Sequence, residues 1–153
     1  MTRHARAVLV ALALAACAPE PYLTPPMEPV PDLRGTWRGT WAGAPVTLVV
    51  IEQGGITAQG GVSIGAWPVS GTPLQTIGGV FTFPSNGAPI TVNVRGRLGH
   101  LDGRLALVVD ALTRDVRQLV LAPVAEDRLV GGGKSNLGWE PFGPVELTRA
   151  VRP

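Results

Sequence analysis

Along most of the chain apolar and polar residues alternate with a period of two, the repeat of a strand whose faces meet different surroundings. The stretch 90–98 shows it plainly: Ile90, Val92, Val94, Gly96 and Leu98 share one face, and Thr91, Asn93, Arg95 and Arg97 the other. Leu101, Gly103, Leu105, Leu107 and Val109 then alternate with Asp102, Arg104, Ala106, Val108 and Asp110. Between these runs, Gly99-His100 fits a two-residue hairpin turn with glycine in first position. That turn predicts a register in which Leu98 faces Leu101, Arg97 faces Asp102, Gly96 faces Gly103 and Val94 faces Leu105. The Arg97–Asp102 pair favours it, whereas Arg95 opposite Arg104 sets like charges together.

The same reading predicts strands at Thr36–Trp41, Val46–Glu52, Ile56–Ile64, Gln75–Phe83, Val116–Val124, Arg128–Ser135 and Val145–Val151, nine with the two above. Gln53-Gly54-Gly55, Pro84-Ser85-Asn86-Gly87 and Ala125-Glu126-Asp127 supply turns between them. No segment after residue 16 has a helical period. Short strands at this spacing point to an all-β antiparallel meander, closed as a small up-and-down barrel or folded as a sandwich. Glycines at strand positions 39, 60, 61, 96, 103, 131 and 133 let strands bend sharply, which favours the barrel.

The first strand reads RGTWRGTW, residues 34–41, with Gly35, Trp37, Gly39 and Trp41 on one face. Both indoles then point the same way, and a small barrel needs bulk inside, so they read as a structural plug. The doubled Gly-Thr-Trp resembles the opening strand of lipocalin-like, or calycin-like, barrels, whose tryptophan packs across one barrel end. The resemblance implies that Arg149, near the end of the last strand, takes the place of that family's supporting arginine. It carries an architecture and no ligand.

Ahead of the strands the composition changes twice. Arg3 and Arg6 precede an apolar run, Ala7 to Ala16, that is shorter than the roughly 20 residues a spanning helix needs, so residues 1–16 read as a secretion signal. Leu14-Ala15-Ala16-Cys17 resembles the lipobox of bacterial lipoproteins. The resemblance implies cleavage before Cys17 and acylation of that cysteine. Ala18 in place of aspartate implies the periplasmic face of the outer membrane. Residues 18–33 hold six prolines, and this reads as a tether: proline fixes φ and removes backbone donors, which keeps such a stretch out of a sheet ladder, and sixteen residues at about 3.1 Å each reach on the order of 50 Å. Residues 17–34 are therefore expected to be lipidated cysteine and tether, and 35–153 the barrel.

Processing also removes the charge signal. The formal charge of +2 is carried by Arg3 and Arg6, and what remains is neutral, so no nucleic-acid partner is expected. Cys17 is the only cysteine, which rules out an intramolecular disulfide. Outside the signal, His100 is the only histidine. With no H-x-H or C-x-x-C spacing, neither a metal site nor a cofactor is expected. His100 itself reads as an exposed turn residue. Gly131-Gly132-Gly133-Lys134-Ser135 lacks the spacing of a phosphate loop. Trp67, Trp139 and Phe142 stand near prolines and are expected in loops, where aromatics serve as interaction anchors or fold back as lids on the core.

A non-catalytic, lipid-anchored envelope protein whose barrel binds a partner protein or an apolar ligand is the leading expectation. A periplasmic inhibitor of a protease or lysozyme, presenting the loops Gly65–Thr72 or Gly138–Pro144, is the first alternative. A hydrolase using carboxylates such as Asp110 and Glu126 is the second, and it requires that those two line one cleft.

Overall fold

The computed structural model describes residues 21–60, 63–64, 67–68, 71–112, 117–135 and 143–151. The chain is all-β. Among the described residues ten strands follow in order: β1 Gly35–Trp41, β2 Ala44–Gln59, β3 Ser63–Ile64, β4 Trp67–Pro68, β5 Thr72–Ser85, β6 Ala88–Leu101, β7 Arg104–Ala111, β8 Arg117–Ala125, β9 Arg128–Ser135 and β10 Gly143–Val151. Eight of them close an antiparallel up-and-down barrel in the order β1-β10-β9-β8-β7-β6-β5-β2, and β3 with β4 forms a small separate hairpin between β2 and β5. Closure leaves the barrel sheet without a free edge.

The alternation read from the sequence decides which side chains face inward. On β1, Trp37 and Trp41 are buried and Arg38 and Thr40 exposed. Eighteen buried side chains from all eight barrel strands and from Leu33 form one continuous interior cluster, so the described lumen is a packed core. Its bulk comes from Trp37, Trp41, Phe81 and Phe83, with Leu and Val between them.

Two turns expected from the sequence lie elsewhere. The β6–β7 hairpin turns at Asp102-Gly103, with φ of 51° and 75°, in place of Gly99-His100. Successive positive φ values are what a tight turn needs to match the twist of its strands, and Asp-Gly supplies them at least strain. The register moves accordingly: Leu98 pairs with Leu107, Gly96 with Val109, and Arg95 with Asp110. Two like charges are thereby replaced by opposite ones. Gln53-Gly54-Gly55, expected as a turn, is an irregularity inside one long β2, where the register to β5 shifts between Val50 and Glu52 and again between Gln53 and Gly55. Such bulges bend a strand without ending it.

The largest departure concerns the proline-rich stretch. From residue 21 onward it lies against the barrel as a strap. Thr24 and His100 exchange both backbone hydrogen bonds, at 3.0 and 2.7 Å, so the stretch does add one bridge to the sheet. Leu23 is fully buried with Leu74, Ala106 and Val108 in a second apolar cluster outside the lumen. The strap fits because Gly99 has no side chain: a Cβ there would stand 2.8 Å from both the Cβ of Leu23 and the carbonyl oxygen of Thr24. Further along, the Gln53 amide donates to Pro31 O at 2.9 Å and its oxygen accepts from Leu33 N–H at 2.7 Å. The prolines leave free the few residues that make these contacts, and those residues dock.

Candidate functional site

Three arrangements on this scaffold carry organised side-chain chemistry. The first closes the strap end of the barrel, where β1 begins and β10 ends. There the Trp37 indole N–H donates to Leu33 O at 2.8 Å, and the Arg149 guanidinium lies over the ring, 4.3 Å from its centroid. Arg149 also donates to Arg34 O at 2.8 Å and to Asp32 O at 2.7 Å. A planar cation thus covers an indole face while its N–H groups satisfy carbonyls that the sheet does not reach. β1 and β10 bring the two side chains together because Trp37 and Arg149 are directly paired. Gly35 opens the same strand with a φ of 125°, which side-chain-bearing residues rarely adopt, and Gly39 faces β10.

The opposite end is closed by aromatic rings. Trp41 lies 6.2 Å from Phe81 and 6.4 Å from Phe83, and the two phenylalanine rings lie 5.4 Å apart. The Trp41 indole N–H is buried without a hydrogen-bond partner. Gly133 makes room for this ring, since a Cβ there would overlap the indole.

The third arrangement is a chain of polar groups on the outer face of β6, β7 and β8, which sequence reading did not single out. The Gln118 amide donates to Asp110 Oδ1 at 2.7 Å, and Arg97 donates to Asp110 Oδ2 at 3.1 Å. Arg97 also reaches Gln59 Oε1 at 3.5 Å, and Gln59 exchanges bonds of 3.3 and 3.4 Å with the backbone of Leu23. The only signal available for it was the outward parity of Arg97 and Asp110 on neighbouring strands. In effect it links the strap to the barrel wall, and a charge-assisted pair at its centre gives it rigidity.

His100, expected in an exposed turn, is a half-buried strand residue whose Nε2 lies 2.7 Å from Glu28 Oε1 on the strap. Glu28's own backbone N–H, and then His100, hold the Glu28 carboxyl below the usual range. The Asp32 carboxyl is likewise held below its usual range by Arg34, whose guanidinium donates to it at 2.8 and 3.0 Å. These charges fix the strap and surround no cleft.

Asp110 and Glu126 are not brought together. Asp110 pairs with Gln118 on β8, and eight further residues at about 3.3 Å each separate that point from Glu126, roughly 25 Å along the barrel. The glycosidase geometry expected of a carboxylate pair is therefore not formed by these two. Among the described residues no group of three metal-ligating side chains is placed to hold an ion. Trp67, expected in a loop, has its backbone in β4 opposite Ile64, and its side chain lies outside the described residues. Cys17, Trp139 and Phe142 also lie outside them, as does most of the Gly138–Pro144 loop. A shallow outer groove of about 350 Å³ runs over the β2 bulges, lined by Glu52, Thr57, Thr76 and Arg95 among others. No protein-family model, no curated protein and no solved structure matches this chain.

Proposed function

We propose that this is a non-catalytic, lipid-anchored envelope protein whose barrel binds a partner protein at its surface. The observation that carries the reading is the filled lumen: two tryptophans, two phenylalanines and the aliphatic side chains between them occupy the space a carried ligand would need. The lipobox-like Leu14-Ala15-Ala16-Cys17 supports attachment through acylated Cys17, and Ala18 supports the periplasmic face of the outer membrane. The Trp37–Arg149 stack supports kinship with lipocalin-like barrels, here with the ligand space closed. Asp110 and Glu126, the two carboxylates a hydrolase would have to bring to one cleft, stand apart on the barrel wall, which favours the partner-binding reading.

Two measurements test it. Photoactivatable residues placed at Ala42 and Asn86 in the lipidated protein in cells are expected to give a discrete crosslinked adduct. A fluorescent fatty acid titrated onto the purified domain is expected not to saturate. Saturable uptake with no adduct would return the reading to ligand carriage. For the anchor, Cys17→Ser is expected to move the protein from the membrane to the soluble fraction.

A further inference from the structure

Five of the seven large apolar side chains exposed on the described surface lie toward the strap end. Tyr22 and Met27, 59% and 100% exposed, stand on the strap itself. Val124 is beside the β8–β9 turn, Ile51 follows the residue paired with Gly35 at the start of β1, and Ile56 lies on the outlying last stretch of β2. Only Ile90 and Leu112 are near the other end. The strap is pinned at Leu23, which is fully buried. Six residue steps separate Leu23 from Cys17, and a fully extended chain covers no more than about 3.5 Å per step, or roughly 20 Å. Once the strap has docked, little tether remains.

We propose that the strap end of the barrel is seated on the lipid surface, with Tyr22 and Met27 at headgroup level, so that the opposite end faces away from the membrane. This rests on the acylation of Cys17 proposed above. Chain length holds Leu23 within reach of the anchor, and the exposed apolar residues decide which end turns toward the lipid. Tyr22 suits that depth because its ring is apolar and its hydroxyl, bonded to Thr72 at 2.8 Å, is polar. The seat is not electrostatic, since among the described residues Glu28, Asp32, Asp102 and Asp127 are interspersed there with Arg34, Arg104, Arg128 and Arg149 and form no basic patch. Zwitterionic lipid therefore suffices. The barrel stands on this seat: from Leu101 back to Ala88, β6 at an ordinary barrel tilt rises about 30 Å. The Ala42-Gly43 and Asn86-Gly87 turns are carried to that height, and the β3–β4 hairpin stays low.

The test uses the full lipidated protein in phosphatidylcholine vesicles. Acylated Cys17 has no free thiol, so an introduced cysteine is the only site for a fluorophore. Labels at Arg104→Cys and Met27→Cys are expected to be quenched several-fold more by headgroup-nitroxide lipid than one at Asn86→Cys. Adding phosphatidylglycerol is expected to change nothing. Inserting a flexible Gly-Ser segment of about sixteen residues after Ala18, which leaves the fold untouched and adds roughly 20 Å of mean reach, is expected to lower quenching at Arg104→Cys toward that at Asn86→Cys. Equal quenching at both ends, a dependence on anionic lipid, or indifference to the insertion overturns the seat. An unacylated mass for the mature chain overturns the anchor instead, so the two failures are distinguishable.

Discussion

The two tryptophans of one short strand close opposite ends of the barrel by different physics. Trp37 is held by direction: its N–H has an acceptor, and its face has a cation anchored to two carbonyls. Trp41 is held by volume alone, wedged among Phe81, Phe83 and the bare backbone of Gly133, with its N–H unpaired. The same residue type on the same face, four positions apart, therefore has a defined orientation at one end and a defined shape at the other. A directional closure fails when a partner is removed, and a steric one fails when an atom is added.

The sharpest way to break the first closure is Arg149→Ala. Two charge-assisted bonds and a stacked cation are lost, and the carbonyls of Asp32 and Arg34 lose those donors. About 3 kcal/mol of destabilisation is expected, since each hydrogen bond to a charged group contributes about 1.5–3 kcal/mol and the entropy of the freed side chain offsets part of it. Urea unfolding followed by tryptophan fluorescence should show the midpoint fall with little change in slope. A loss below about 1 kcal/mol would mean that the stack is incidental and the Trp37 end is also closed by volume.

The second closure should yield to a single methyl group. Gly133→Ala places a Cβ inside the Trp41 indole, which Phe81 and Phe83 prevent from moving aside, and overpacking of this kind costs about 2 kcal/mol. The same substitution in a Trp41→Phe background is expected to cost less than half as much, because the smaller ring vacates the overlapped space. Additive costs in the double variant would place the strain in the backbone of β9 and not in the ring.

How much of this contrast the sequence displayed depends on range. Period-two alternation showed that Trp37 and Trp41 face inward, because that is a local property of an extended chain. That Arg149 would meet Trp37 came only from resemblance, since a pairing across more than a hundred residues leaves no mark on composition. Nor could alternation choose between Gly99-His100 and Asp102-Gly103 as the turn. Either keeps the inward residues inward, and the choice falls to the turn chemistry of Asp102-Gly103 and to the charges, through Arg95 opposite Asp110. The strap was misread for a related reason. Its prolines describe average stiffness, whereas docking is set by Leu23, Thr24 and the notch at Gly99, three residues that composition outvotes. Of the polar chain from Gln118 to Gln59, only outward parity was visible. Its members stand on four strands, and Gln59 is reached solely because β2 runs through the glycines that read as its end.

A finer probe of the contrast is to replace each indole with a benzene ring. Trp37→Phe removes a donor from Leu33 O and narrows the face beneath Arg149, while Trp41→Phe deletes a polar atom that was already unpaired. Volume loss is common to both, so their difference isolates the polar part. Trp37→Phe is expected to be the more destabilising by about 1 kcal/mol, the net worth of one buried hydrogen bond. Equal losses in parallel urea titrations would remove the distinction between the two ends.

Acid should separate the ends most gently, because titratable groups fix the strap, whereas the described Trp41 closure is built from Trp41, Phe81, Phe83 and Gly133. Glu28 faces His100 and Asp32 faces Arg34 and Arg149, and both carboxyls are held below their usual values in the folded chain. A group whose pKa is depressed by folding contributes stability above its unfolded value and loses it as pH falls through the folded one. The strap should therefore hold from pH 5 to about pH 4, where free carboxylates begin to protonate, and loosen progressively below it. Both groups are at the surface, so global stability moves little, and the readout must be local. Protection of the Thr24 and Leu33 amides, which donate to His100 O and Gln53 Oε1, should fall relative to that of Leu107 in the barrel wall as pH drops from 5 to 2. Arg34→Gln should begin that fall at higher pH by raising the Asp32 pKa. Protection lost in step with Leu107 would mean that the strap and barrel open as one unit, and that the ion pairs at the strap end decorate a closure already secured by Leu23 and Trp37.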